Sequence, residues 1–223
     1  MIFSYSSLAT FKQCPAKFKF AYIEKAEAPD LPPSPALERG SAIHNSVEDY
    51  LLRKNEMLHP EIHKDWGQYL HGIREGGGQI LPEFKWGINW EWKPCGYDDP
   101  LCMLHGFIDL LVIPEDPAAP LDIYEWKTGK RYDEHPMQLN MYSCAMMVHH
   151  PDRESVDGMI VYFDGHPHWN IKYPQIMQQD YVSTIRRRIN QVVDEKRFPA
   201  KPSFKCRWCK FSRINNGGPC SVG

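Results

Sequence analysis

The sequence predicts a single α/β core, because its elements run as helices, three strands, a helix, two strands and a closing helix. Three observations carry that expectation. Two apolar, β-branched runs, Met103 to Ile113 and Leu121 to Lys127, flank the Pro/Ala/acidic loop Pro114 to Pro120, which is a hairpin signature. Helical periodicity brackets them on both sides. With 223 residues, 42% hydrophobic and 24% charged, the chain can bury one substantial core, with or without a small appendage.

In chain order, Ser4 to Ile23 reads as a helix capped by Ser6 or Ser7 and split at Cys14-Pro15. Ala28 to Pro35 is a proline-rich connector. Pro35 to Lys54 is a helix whose Ile43, Val47, Tyr50 and Leu51 form one stripe, and Glu61 to Ile80 is a second, ending at Gly76-Gly77-Gly78. That glycine run lacks the Gly-Lys-Ser/Thr ending of a phosphate loop. Glu83 to Trp92 alternates as a strand, and the hairpin follows. Pro136 to His149 is a helix with proline in its first turn. Strands at Met159 to Asp164 and His168 to Tyr173, a helix from Pro174 to Lys196 and a loop-like tail from Phe198 complete the chain.

The hairpin carries chemistry. If its loop is symmetric about Pro117, Asp109 stands across from Glu125, and Glu125 and Lys127, two apart, share a face. An isolated carboxylate near a strand end is ordinarily a solvated surface group. Asp109 and Glu125 instead interrupt apolar runs, where an unpaired charge costs about several kcal/mol. Two carboxylates beside an ammonium suit a hard divalent cation such as Mg²⁺ or Mn²⁺.

Gly106-Phe107-Ile108-Asp109, followed by Glu125-Trp126-Lys127-Thr128-Gly129-Lys130, resembles the PD-(D/E)XK nuclease superfamily, and more closely its RecB-like branch. The resemblance implies a restriction-endonuclease-like fold, a mixed central sheet flanked by helices, and metal-assisted phosphodiester hydrolysis. Arg39-Gly40 with His44 and Glu48 looks like the helix that precedes the core in that branch, which makes His44 a metal ligand beside Asp109, Glu125 and the backbone carbonyl of Trp126. Lys127 then orients or deprotonates the attacking water, or stabilises the pentavalent phosphorus. Glu83 stands where the superfamily often has a further acid; it reads equally as a polar cap after Pro82. Gln138 and Tyr142, four apart on one helix face, resemble a motif that presents an amide and a phenol to DNA, packing against the sheet being the alternative. Lys130 and Arg131 are placed to contact the phosphate chain.

Seven cysteines show no disulfide framework. Cys206 and Cys209 form a C-x-x-C knuckle, Cys220 follows, and Cys14 lies near the other terminus. Four thiolates suit a [4Fe–4S] cluster or zinc, or are unligated packing residues. The arrangement resembles the iron–sulfur clasp of AddB-type nuclease domains and CRISPR-adaptation exonucleases. It implies one nuclease domain over 1–223, with about 1–34 and 198–223 forming the clasp. The gap from Cys209 to Cys220 is longer than the usual pattern, and Asn215 to Gly218 reads as a flexible insertion. Cys95, Cys102 and Cys144 read as simple thiols.

A net charge of −2 argues against a wholesale polyanion coat, but between Arg186 and Arg213 ten basic residues face two acidic ones, with Phe198, Phe204, Trp208 and Phe211 interleaved. That stretch suits phosphates and stacked bases, or in part is the wet face of a helix. No apolar run approaches a membrane span, and the first residues form no secretory leader, so a cytoplasmic location is expected. The function expected is a DNA exonuclease acting on single-stranded or duplex ends in recombination, repair or CRISPR adaptation, as in phage recombination exonucleases, with a recombinase or integrase as protein partner. The rival is a non-catalytic DNA-binding subunit with the same fold.

Overall fold

A computed structural model describes residues 1–28 and 32–222, apart from the side chains of residues 215 and 216. Residues 29–31 of the expected connector lie outside it. The chain divides into two units, one of Met1–Ile2 with Ser34–Ser183 and one of Phe3–Pro33 with Thr184–Gly223.

The first unit opens with helices α3 (Pro35–Leu51) and α4 (Pro60–Glu75). Each starts with proline at its first turn, and the Ser34 side chain caps α3 by accepting the Leu37 N–H. Strands β1 (Gln79–Asn89), β2 (Pro94–Cys95), β3 (Cys102–Ile113), β4 (Leu121–Lys127), β5 (Ser155–Tyr162) and β6 (Trp169–Pro174) follow, with helix α5 (His135–His149) between β4 and β5. Among the described residues the strands form one six-stranded sheet ordered β2-β1-β3-β4-β5-β6. Only the β4/β5 pair is parallel, α5 being the crossover, so the sheet is mixed and flanked by helices as expected. The short strand β2 was not anticipated; it pairs with β1 through Gly87 and Ile88.

Alternation sorts the sheet's two faces. Leu110, Val112, Tyr124 and Trp126 pack against Ile43, Val47, Tyr50 and Leu51 of α3 and Ile62 and Leu70 of α4. The opposite face takes α5, whose Leu139 approaches Gly158 of β5, where Ile123 of β4 also approaches. Helix α5 is buried along most of its length, from Gln138 to Met147, so it reads as a core helix with no wet stripe.

The second unit begins with α1 (Tyr5–Gln13), then α2 (Pro15–Phe18), which continues as a π-helical turn, Lys19–Ile23. Ser4 and Ser7 form a capping box, so the cap lies two or three residues before the expected one. Cys14 is extended and separates α1 from α2, as the Cys-Pro step requires. The chain re-enters this unit within α6 (Gln178–Val193) and ends with a 3₁₀ turn, Phe204–Trp208, and α7 (Arg213–Asn216). Phe18 stacks on Phe198 at 6.2 Å, and Phe20 meets Phe211 at 5.7 Å, so aromatic pairs tie the first segment of this unit to the last. Among the described residues no helix is long and apolar enough to cross a membrane.

Candidate metal-binding active site

The β3/β4 ladder has the register read from the symmetric loop. Val112 pairs with Asp122, Leu111 with Ile123 and Leu110 with Tyr124. The next position on each strand is Asp109 and Glu125, and there the pairing stops. Trp126 N–H donates to Asp109 Oδ2 at 2.7 Å, so a side-chain carboxylate takes the place of a ladder carbonyl. Gly106, three residues earlier, is needed for space: a Cβ there would sit 2.7 Å from Trp86 Cζ2. On β4, Lys127 Nζ donates to Glu125 Oε1 at 2.5 Å. Glu125 is only 4% exposed, and its Oε2 is buried without a hydrogen-bond partner.

His44, on α3, brings Nδ1 to 3.7 Å from Asp109 Oδ2. The third member comes from β1. Pro82 pairs with Leu110 and Phe84 with Ile108, so Glu83 occupies the position facing Asp109. Its backbone is left-handed, with φ of +49°, a conformation that costs about 1–3 kcal/mol in a residue with a side chain and recurs at functional sites. Ligand atoms of His44, Glu83 and Asp109 all lie within 4.8 Å of one another. Glu83, read as a further acid or a cap, thus stands with His44 and Asp109. Glu125, beside them on β4, has Oε1 engaged by Lys127 and Oε2 unpartnered.

Burial sets the electrostatics. The Asp109 carboxyl is pushed well above its ordinary range, first by burial and then by the Glu125 charge; Lys127 and the Trp126 N–H oppose this, and Glu83 adds to it. Burial, then Glu48 and Glu125, raises Glu83. His44 is lowered by burial and by Lys127, against the pull of Glu125 and a hydrogen bond to the Trp126 backbone. Carboxyls driven toward protonation beside a neutral imidazole form a donor set that a divalent cation would relieve, since ligands bind in their deprotonated forms. The orphaned Glu125 oxygen fits the same demand.

Other expected site residues fall differently. Gln138 Nε2 donates to the Tyr142 hydroxyl at 2.8 Å, both side chains are buried, and Gln138 Oε1 has no partner. Both lie on the stretch of α5 that is buried along most of its length. Lys130 is exposed, and Arg131 lies over the Trp169 ring at 4.0 Å. Spacing gave no sign of a second group beside β4. His135 Nδ1 lies 2.6 Å from the Tyr162 hydroxyl, and Tyr162, in register with Lys127, donates its N–H to His168 Nδ1 at 3.1 Å. Burial, helped by Lys127, drives His135 down to about 4.

Comparison with known proteins decides the family. The profile of the PD-(D/E)XK nuclease superfamily matches residues 2–214. The chain belongs to that superfamily. Among solved structures, the crystal structure of SSO0001 is similar at a TM-score of 0.51 and 15% identity, over 99% of this chain and 86% of the other, a likeness of fold. No curated protein matches.

The second unit of this PD-(D/E)XK chain holds the cysteines singled out in the sequence. Cys14, Cys206, Cys209 and Cys220 line one pocket. Lys201 N–H donates to Cys14 Sγ and Ser203 N–H to Cys206 Sγ, each at 3.4 Å. The supposed flexible insertion is partly the helical turn Arg213–Asn216, and Cys220 N–H returns to the Phe211 carbonyl at 2.8 Å, which closes the long gap. The expected four-thiolate shell is nevertheless not closed. Tetrahedral zinc needs sulfurs about 3.8 Å apart, given Zn–S bonds of about 2.3 Å. Among the described residues no three cysteine sulfurs gather within 4.8 Å.

Proposed function

We propose that this chain is a divalent-metal-dependent deoxyribonuclease that acts as an exonuclease at DNA ends. The observation that carries the reading is the convergence of His44, Glu83 and Asp109 within 4.8 Å, beside a Glu125–Lys127 pair, in a chain of a nuclease superfamily. Asp109, Glu83 and His44 would hold Mg²⁺ or Mn²⁺, with the Trp126 carbonyl and the free oxygen of Glu125 as further donors. When bound, such an ion makes its water acidic and offsets charge building on the phosphate. The chain's own residues supply the remainder. Asp109 is fixed by the Trp126 N–H, so its second oxygen has a defined direction. Glu125 holds the Lys127 amino group, which as the ammonium orients the attacking water or stabilises the pentavalent phosphorus, and which only as the neutral amine would take the water's proton.

The basic segment between Arg186 and Arg213 supports a polyanionic substrate. So does a pocket of the second unit whose lining includes Lys12, Arg187, Arg188 and Lys201 against the single acid Glu195. The shared pocket and the two N–H···S bonds support a [4Fe–4S] cluster on Cys14, Cys206, Cys209 and Cys220, zinc being the alternative. Work in recombination, repair or CRISPR adaptation, alongside a recombinase or integrase, belongs to the same reading.

The test is digestion of end-labelled linear DNA beside a closed circle, with Mg²⁺, with Mn²⁺ and with chelator. Metal-dependent shortening of the linear substrate alone is expected. Cutting of the circle would replace exonuclease by endonuclease, and no cutting of either with any divalent ion would leave a DNA-binding subunit. Anaerobic purification decides the cluster: a brown protein is expected, and a colourless, zinc-containing one overturns it.

A further inference from the structure

The Arg39-Gly40 pair that precedes His44 has no part in the metal trio, yet it is engaged. Arg39 grips Asp164 with both ends of its guanidinium, Nη2 to Oδ1 at 2.6 Å and Nη1 to Oδ2 at 3.2 Å. Asp164 Oδ2 also accepts the N–H of Gly129, two residues beyond Lys127. Immediately before Asp164, the Phe163 N–H donates to the Lys127 carbonyl at 3.0 Å. Residues 163 and 164 therefore hold the main chain on both sides of Thr128. Gly40 completes the contact: a Cβ there would meet Thr128 Oγ1 at 3.0 Å, so the start of α3 lies directly on this turn. Gly129 has φ of +97°, which a side chain would strain, so the turn's shape depends on what holds it. The far side of the guanidinium is fixed by Glu61, whose Oε2 accepts from Arg39 Nε at 2.6 Å.

We infer that Asp164 is a positioning residue for the proposed reaction: its carboxylate joins Arg39 to the Gly129 N–H and so fixes the Lys127 end of β4. The inference rests on the nuclease reading for the importance of Lys127, and on geometry alone for the latch. An ordinary ion pair at this partial exposure would contribute little. What sets this one apart is the backbone N–H that shares the carboxylate. The Arg39 guanidinium and that N–H hold the Asp164 carboxyl below its usual range, so it stays charged at neutral pH. Glu61 makes the control, because it bonds the same arginine without touching the turn.

Asp164→Ala and Glu61→Ala are compared with wild type by steady-state cleavage and by amide hydrogen exchange at Gly129. For Asp164→Ala, kcat is expected to fall about tenfold to a hundredfold, the scale of a misplaced reacting group, with KM for DNA nearly unchanged. The Gly129 amide should exchange markedly faster. Glu61→Ala should leave kcat and the Gly129 amide close to wild type. Asp164→Asn, which preserves volume, should show the same order with a smaller loss, and it serves if the alanine variant fails to fold. Wild-type kcat in the Asp164 variants, equal losses at Asp164 and Glu61, or an unchanged Gly129 amide would each overturn the inference. If wild-type protein cleaves nothing, the nuclease reading fails, and Gly129 exchange alone decides the latch.

Discussion

The carboxylate trio of the first unit and the cysteine pocket of the second gather ligating atoms on different supports. Glu83 and Asp109 sit on adjacent strands whose register is fixed by backbone pairs on either side, and His44 stands on a helix anchored by Ile43 and Val47. Their ligand atoms are already within 4.8 Å. Cys14, Cys206, Cys209 and Cys220 occupy a helix break, a 3₁₀ turn, its end and a terminal loop, and their sulfurs share a pocket without closing to zinc distances. A sheet brings its groups together before any ion arrives, at the expense of burying charge. Loops would leave that closure to any metal group the cysteines bind, whose binding free energy would then become part of folding.

That difference predicts unequal responses. The largest is in the sheet: Lys127→Ala should lower the cleavage rate about a hundredfold or more, the scale of a lost proton-transfer or charge-stabilising group, with an unchanged circular-dichroism spectrum. Near-wild-type turnover would remove Lys127 from the reaction. In the loops, Cys14→Ser or Cys206→Ser should instead empty the pocket of iron or zinc and cost roughly several kcal/mol of stability. Metal analysis with thermal melting checks this, and unchanged metal content together with an unchanged melt would return these cysteines to simple packing.

Smaller effects sharpen the contrast. Replacing Arg187 and Arg188 together should weaken oligonucleotide binding and reduce the slope of log K against log salt by about 1.4 for single strands, at about 0.7 per phosphate contact. An unchanged slope in anisotropy titrations would show that the pocket does not carry phosphates. The smallest is a gain in stability. Asp109 is held above its unfolded range by burial and Glu125, so the folded state binds its proton more tightly. In metal-free protein the resulting penalty is absent below the unfolded carboxylate range and grows as pH rises through the raised value. Asp109→Asn, which can still accept the Trp126 N–H, should therefore melt a few degrees higher than wild type at pH 8 without metal. The two proteins should converge at acid pH. A lower melt at pH 8 would mean that the trio stabilises the fold unaided. Added Mg²⁺ should raise the wild-type melt and leave the variant unmoved.

Much of the site was legible in β3 and β4. The loop's symmetry about Pro117 predicts the register, and the ladder through Leu110 and Tyr124 follows it. Glu125 with Lys127 needed only the two-residue repeat of a strand. Glu83 was ambiguous because its left-handed backbone departs from the alternation by which strand faces are read. Gln138 and Tyr142 share a helix face as expected, but spacing could not say that the face is buried. Asp164 had no sequence signal, for its bond to Arg39 spans 125 residues.

By itself, the sequence determined the fold class, the family, and which charged residues of β3 and β4 share a face, because alternation and apolar patterning are properties of the extended chain. Only the tertiary structure decided that Glu83 joins His44 and Asp109, that Lys127 engages Glu125, and that Asp164 holds the turn beyond it. Those choices depend on groups far apart in sequence meeting where water is excluded. There, burial and neighbouring charge settle which carboxylate is paired and which is left for a cation.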